Sequence, residues 1–138
     1  ISKQKYTYNT GQMSEAAVRL YKITKKKNYL HEAQLSAKGA YQFFVKEQET
    51  QDGEMLFYPD SPWFNVILLR GLNELYEIDG NDAFIKTLKD NAYYAFHHTL
   101  DENVLFGNSW YRKTIQPHKL LIDNACMIEL FAELPDLE

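Results

Sequence analysis

The sequence carries a single cysteine, Cys126, in 138 residues. A lone thiol excludes an internal disulfide framework and a cysteine-based zinc site. Set in an apolar helical pattern, Cys126 reads as a buried structural group. Long apolar runs are missing too. No stretch approaches the roughly 20 residues that cross a bilayer, so no membrane partner is expected, and no secretory leader is present. The chain opens on Ile1 rather than Met. The start of the gene product is therefore expected upstream, and the missing leader carries no information on compartment. Positive charge is scarce: 15 Lys and Arg against 19 Asp and Glu give a net charge of -4. There is no basic stripe of the kind phosphate backbones require, which argues against a nucleic-acid partner. The one basic run, Lys25-Lys26-Lys27, separates two helical patterns and reads as a solvated turn.

Missing motifs narrow the chemistry further. There is no glycine-rich phosphate loop and no recognisable Ser or Cys nucleophile motif. The segment His31-Glu32-Ala33-Gln34-Leu35 begins like a zinc-protease helix but lacks the second histidine. His97 and His98 are neighbours on a helical stretch and so diverge, which suits surface or packing roles. No metal and no cofactor are implied.

What is present is a globular composition, 45% apolar and 25% charged, with both signs of charge interspersed and enough apolar content for a core. Helical periodicity recurs in five segments. It predicts helices over about Gly11 to Thr24, Tyr29 to Glu47, Pro62 to Ile78, Asp82 to Leu100 and Leu120 to Leu134. Asn9 or Thr10 is placed to cap the first. Ser61-Pro62 opens the third as a cap followed by proline at the first helical position, and Gly80 closes it. Strand-type alternation never lasts long enough to compete, so an all-α fold is expected.

The segments are copies of one another. A shift of 55 residues lays Leu20-Tyr21 on Leu75-Tyr76, Tyr29-Leu30 on Phe84-Ile85, and Ala40-Tyr41 on Ala95-Phe96. A second shift lays Leu75-Tyr76 on Leu130-Phe131. The pattern is a two-helix unit present twice, followed by the first helix of a third, as in a helical solenoid or a closed α/α toroid. Connections within a unit are short. Those between units, about Gln48 to Asp60 and Asp101 to Lys119, are long, and long ordered loops are usually functional. They all lead into the first helix of a unit, so they gather on one face of the stack.

That face collects Tyr6, Tyr8, Phe57, Tyr58, Trp63, Phe64, Phe106, Trp110 and Tyr111. Flat rings bind the apolar C–H face of sugars, and Tyr and Trp add a hydrogen-bonding edge. The alternative role is to staple the long connections down. Asn9, Gln12, Asn65, Arg70 and Asp123 are the polar groups near the starts of the first helices. Amides both donate and accept, which suits hydroxyl-rich ligands. Arg70 is equally placed to pair with an acid inside the stack. Glycoside hydrolysis needs two carboxyl groups at close quarters. Asp60, Glu54, Asp101, Glu102 and Asp123 are available, and no pair among them stands out.

The segment Tyr8-Asn9-Thr10-Gly11-Gln12-Met13, with Leu20-Tyr21-Lys22-Ile23-Thr24 and Tyr29-Leu30 after it, resembles the C-terminal half of glycoside hydrolase family 76, the endo-α-1,6-mannanases. Pro62-Trp63-Phe64-Asn65-Val66-Ile67-Leu68-Leu69-Arg70-Gly71 is similar to the next inner helix of that family, and Asp123-Asn124-Ala125 to the last. Thr10 stands where many relatives carry another polar residue. The resemblance implies an (α/α)6 barrel of six inner and six outer helices, of which residues 1–138 would form the final five, within one domain. It implies retaining cleavage of α-1,6-linked mannose chains by an adjacent pair of aspartates in the family's first half. No two aspartates are adjacent in this chain, so no catalytic residue carries over, and the chain alone is expected to be inactive. By motif position Tyr8, Asn9 and Gln12 would line the sugar groove, with Trp63, Phe64 and Arg70 beside them. The implied partners are an α-mannan or related oligosaccharide and the remaining N-terminal half of the barrel. The implied location is secreted or periplasmic. The competing readings are another α/α-toroid enzyme, such as a sugar epimerase or an unsaturated-uronide hydrolase, and a helical-repeat module that binds peptides or proteins. A partial toroid would leave the apolar flanks of its first and last units uncovered, so the isolated chain is expected to self-associate or be poorly stable.

Overall fold

A computed structural model describes residues 4–59, 61–114 and 118–137. Five helices carry the fold: α1 (Thr7–Thr24), α2 (Lys27–Phe44), α3 (Pro62–Asp79), α4 (Ala83–His98) and α5 (Leu121–Glu133). Both ends of α3 lie one 55-residue step beyond those of α1, so the repeat read from the apolar pattern is a repeat of structure. α1 starts earlier than its periodicity suggests, because its first turn is polar and aromatic and adds nothing to an apolar stripe. Tyr6 occupies the N-cap position, and Asn9 and Thr10, expected as caps, sit inside the helix. Ser61 and Pro62 open α3 as expected, although the Ser61 hydroxyl makes no cap hydrogen bond. Gly80 closes α3 in the left-handed conformation at φ 69°. Lys25, its counterpart in the repeat, ends α1 at φ 58° without glycine's freedom.

The connection between α2 and α3 corrects the all-loop expectation. It holds a two-stranded antiparallel hairpin, β1 (Lys46–Thr50) paired with β2 (Gly53–Phe57), with Lys46 opposite Phe57 and Thr50 opposite Gly53. β1 is polar throughout and places Glu49 opposite Glu54, which disfavours pairing. The hairpin is held instead by α4. Asn91 accepts from Tyr58 N at 3.0 Å and donates to Leu56 O at 2.7 Å, and Tyr94 Oη accepts from Gln51 N. His98 Nε2 lies 2.9 Å from Asp52 Oδ2 and its ring stacks on Tyr94.

α1, α3 and α5 lie side by side as an inner layer, with α2 and α4 behind them. The inner helices run parallel: moving along α1 from Gly11 to Lys22 meets α3 from Ile67 to Glu77. Two glycines bring α1 and α3 together. A Cβ on Gly11 would lie 2.4 Å from Ile67 O, and one on Gly71 would lie 2.4 Å from Gly11 O. Behind this contact the core is Val18, Leu68, Leu72, Ile85, Leu88, Ala92, Met127 and Leu130, all buried. Burial of each large aliphatic side chain contributes about 1.5–3 kcal/mol. Along the outer edges of the layer, apolar side chains face outward at helical spacing. Met13, Leu20 and Ile23 do so on α1, and Leu121 and Ile128 on α5, with Ile23 79% and Leu121 84% exposed. No helix among the described residues is long and apolar enough to cross a membrane.

Candidate functional site

The N-terminal ends of the inner helices carry a rim of aromatic rings. Tyr6 stacks on Tyr8 at 5.4 Å between centroids, Tyr8 meets Phe64 of α3 at 4.9 Å, and Phe64 meets Trp63 at 3.9 Å. All four are half-buried, so each side chain is partly packed and partly accessible. Tyr8 and Gln12 are one helical turn apart and share a face of α1. Asn9 and Gln12 are both exposed. The structure thus brings Tyr8, Trp63 and Phe64 into one cluster, with two free amides on the adjoining helix.

Arg70 is two turns deeper on α3 and belongs to a different layer. Its Nε donates to Glu129 Oε1 of α5 at 2.7 Å, its Nη2 donates to the same oxygen, and Glu133 Oε1 is 4.0 Å away. Glu129 holds the guanidinium above its usual value, so it stays cationic. Burial pushes the Glu133 carboxyl upward and the neighbouring Glu129 adds to this, against Arg70. Above this pair, between α3 and α5, runs a cleft of about 220 Å³ lined by Trp63, Ile67, Ile122 and Ala125 among others. Below it a charged recess of about 260 Å³ includes Glu15, Arg19, Glu74 and Glu77. Here Arg19 and Lys22 of α1 pair with Glu74 and Glu77 of α3, with Lys22 Nζ 2.5 Å and 2.8 Å from the two carboxylates. The opening is aromatic and amide; its floor is ion-paired.

Other residues on this face serve the scaffold. Trp110, Tyr58 and Phe57 are buried, and Trp110 Nε1 donates to Tyr58 O at 2.9 Å, so these rings staple the long connections. Phe106 and Tyr111 pack against the same core. Asn65 is fully buried and donates to Pro59 O at 2.7 Å, fixing the approach to α3. Asn124 does the same for the α4–α5 connection, accepting from Phe106 N and donating to Phe106 O and Leu120 O. Among the carboxylate candidates, Asp101 caps its own turn by accepting from Asn103 N and Leu105 N. Glu54 and Glu102 are exposed, and Asp60 lies outside the described residues. Asp123 is 1% exposed, and burial raises its pKa, partly offset by Lys119. Cys126 is buried as expected, and burial pushes its thiol up to about 12. Among the described residues no cluster of His, Cys, Asp and Glu is placed to hold a metal.

Sequence reading missed Glu129, Glu133 and Glu15 around Arg70. The signal was available, since Glu15 occupies the place of Arg70 in the repeat. Arg19 and Glu74, and Lys22 and Glu77, are likewise one repeat apart. At all three positions the charge reverses between copies.

Parallel inner helices backed by antiparallel outer ones, with the long connections gathered at one mouth, are the arrangement of a segment of an α/α barrel. The chain belongs to glycoside hydrolase family 76: the profile of "Glycosyl hydrolase family 76" matches residues 1–134. Among solved structures it is similar to a family 76 mannosidase from Bacteroides thetaiotaomicron, with 29% identity and a TM-score of 0.87 over 96% of this chain and 37% of that one. It is also similar to a family 76 glycoside hydrolase from a bovine strain of the same species, with 25% identity and a TM-score of 0.85 over 94% of this chain and 28% of that one. It shares the fold of a family 76 α-1,6-mannanase from Salegentibacter, with 24% identity and a TM-score of 0.70 over 96% of this chain and 41% of that one. The chain therefore spans well under half the length of these structures. No curated protein matches it.

Proposed function

We propose that residues 1–138 are the C-terminal part of a single barrel domain that cleaves α-1,6-linked mannan, and that they supply one wall of its substrate groove. The observation that carries this reading is the half-buried rim of Tyr6, Tyr8, Phe64 and Trp63 at the mouth of the inner helices. Partly exposed aromatic rings take the C–H faces of sugar units, and Asn9 and Gln12 meet their hydroxyls through amides that both donate and accept. Such a wall orients the chain of sugars and contributes to rate through position rather than through bond-breaking. The resemblance to the family implies an adjacent aspartate pair as the two carboxyl groups that glycoside cleavage demands. This chain has no adjacent aspartates, so on this reading the pair comes from sequence outside these residues. The outward-facing apolar side chains of α1 and α5 fit a unit flanked on both sides by the N-terminal half of the barrel. The proposed location is secreted or periplasmic.

The test is to incubate linear α-1,6-mannan with the full-length gene product and, separately, with residues 1–138, and to separate the products by size. Short oligosaccharides from the full-length protein alone are expected. Failure of the full-length protein to cleave would refute the mannanase reading, and cleavage by residues 1–138 would refute the external placement of the carboxylates.

A further inference from the structure

The cleft between α3 and α5 has walls and a floor of different chemistry. Trp63 stands at its rim, Ile67, Ile122 and Ala125 line its sides, and the Arg70–Glu129 pair sits at its base. At about 220 Å³ it is small beside the roughly 300–1,000 Å³ of pockets for drug-sized ligands, so it suits one monosaccharide unit rather than a run of them. The base is chemically specific. A guanidinium beside a carboxylate offers donors and acceptors side by side, the complement of a vicinal pair of hydroxyls. Its net field is not positive, because Glu129 is bonded to Arg70, Glu133 lies 4.0 Å away, and in the recess beneath Arg19 is already paired with Glu15 and Glu74 while Glu77 adds a further carboxylate. An anionic sugar would find its one cationic partner already engaged and further carboxylates nearby.

We propose that this cleft seats one neutral pyranose of the bound glycan, with its C–H face against Trp63 and two adjacent hydroxyls on the Arg70–Glu129 pair, and that it rejects uronate units. Glu129 is thereby a specificity-determining residue alongside Arg70. The assignment rests on the carbohydrate-cleaving reading above and deepens it by naming the cleft and the residue pair that would hold one sugar unit and exclude charged ones.

The full-length gene product is titrated calorimetrically with α-1,6-mannotriose and with a linear trigalacturonate. Two variants accompany it. Ala125→Trp fills the cleft from an exposed position on α5 and leaves the ion pair alone. Glu129→Gln keeps the shape of the base and removes one negative charge. Thermal unfolding checks that each variant folds. The wild type is expected to bind the neutral trimer and not the uronate. Ala125→Trp is expected to weaken the neutral trimer by about 10- to 100-fold, the scale of losing hydrogen bonds to charged groups. Glu129→Gln is expected to weaken it about 10-fold and to bring uronate binding into range. Equal affinity of all three proteins for the neutral trimer overturns the proposal, as does uronate binding by the wild type or no binding of either probe. If mannan is cleaved while both variants bind as the wild type does, the cleft assignment fails alone. If the trimer binds in an Ala125→Trp-sensitive way and mannan is not cleaved, the mannanase reading fails alone.

Discussion

Gly71→Ala is expected to destabilise the protein although alanine is the better helix former. Two effects oppose each other. Alanine in a helix interior gains about 0.5–1 kcal/mol over glycine by limiting the freedom of the unfolded chain. Against this, the added Cβ would lie 2.4 Å from Gly11 O and 3.1 Å from Gly11 C, where ordinary contact begins at 3.4 Å. Neither partner is a side chain that can rotate away, so α1 and α3 must separate by about 1 Å, a gap that forfeits a quarter to a half of each dispersion contact it opens. The contact is the most extensive between helices. The overpacking cost therefore falls at or above the top of the usual range of about 1–3 kcal/mol, leaving a net loss of about 2 kcal/mol after the helix gain. In the intact barrel, of which this chain spans 37% in a relative, the larger unfolding entropy limits this to a fall in Tm of about 2–4 °C. Gly39→Ala is the matched control, because α2 leaves open space there; in the intact barrel it should raise Tm by about 1 °C. Gly11→Ala meets Ile67 O at 2.4 Å and Leu68 Cα at 2.6 Å and should behave as Gly71→Ala does. Because one opening of the interface relieves both clashes, the double variant should lose less than the sum of the singles. Urea or thermal unfolding of the four variants beside the wild type measures all of this. A Gly71→Ala protein as stable as Gly39→Ala would refute the claim that these glycines set the helix separation.

Two further outcomes are expected. Lys25→Gly places at the end of α1 the residue that Gly80 provides at the end of α3, relieving a left-handed backbone at φ 58°; Tm should rise by the equivalent of about 1 kcal/mol, and a fall would show that the Lys25 side chain contributes more than its backbone costs. Asp123 has a folded-state pKa above the ordinary carboxylate value because burial outweighs Lys119, so its stabilising contribution is complete below about pH 4 and is lost as pH rises through the folded pKa. Asp123→Asn, which mimics the protonated acid, should therefore unfold at higher temperature than wild type at pH 7, with the gap closing near pH 3. A gap that is absent at pH 7 or widest in acid would contradict the buried, unfavourable charge.

How much was legible follows from where each feature's information sits. The helices were, because Leu68, Leu72, Ile85 and Leu88 encode their burial in their own spacing. The hairpin was not. β1 is Lys-Glu-Gln-Glu-Thr, with no apolar alternation, and what fixes it is Asn91, Tyr94 and His98, more than thirty residues away. Its one local cue was Asp52-Gly53 at the turn. Trp63 and Trp110 read alike as aromatics on the long-loop face, yet one is half-open on the rim and the other is sealed beneath a connection. Burial of a loop aromatic depends on the path of the loop, which periodicity does not carry. The ion-paired floor lies between these cases. Glu15 and Arg70, Arg19 and Glu74, and Lys22 and Glu77 are invisible as apolar matches, because they differ between copies. They become visible once the repeat is taken to mean that equivalent positions of neighbouring inner helices touch. Between α1 and α3, Arg19 meets Glu74 and Lys22 meets Glu77 one repeat apart with opposite charge, whereas the Arg70–Glu129 pair between α3 and α5 is offset from that register by one helical turn. The same logic accounts for the open edges. Met13 and Ile23 on the outer flank of α1 have no unit before them in this chain, so a side chain built for lateral contact faces outward there.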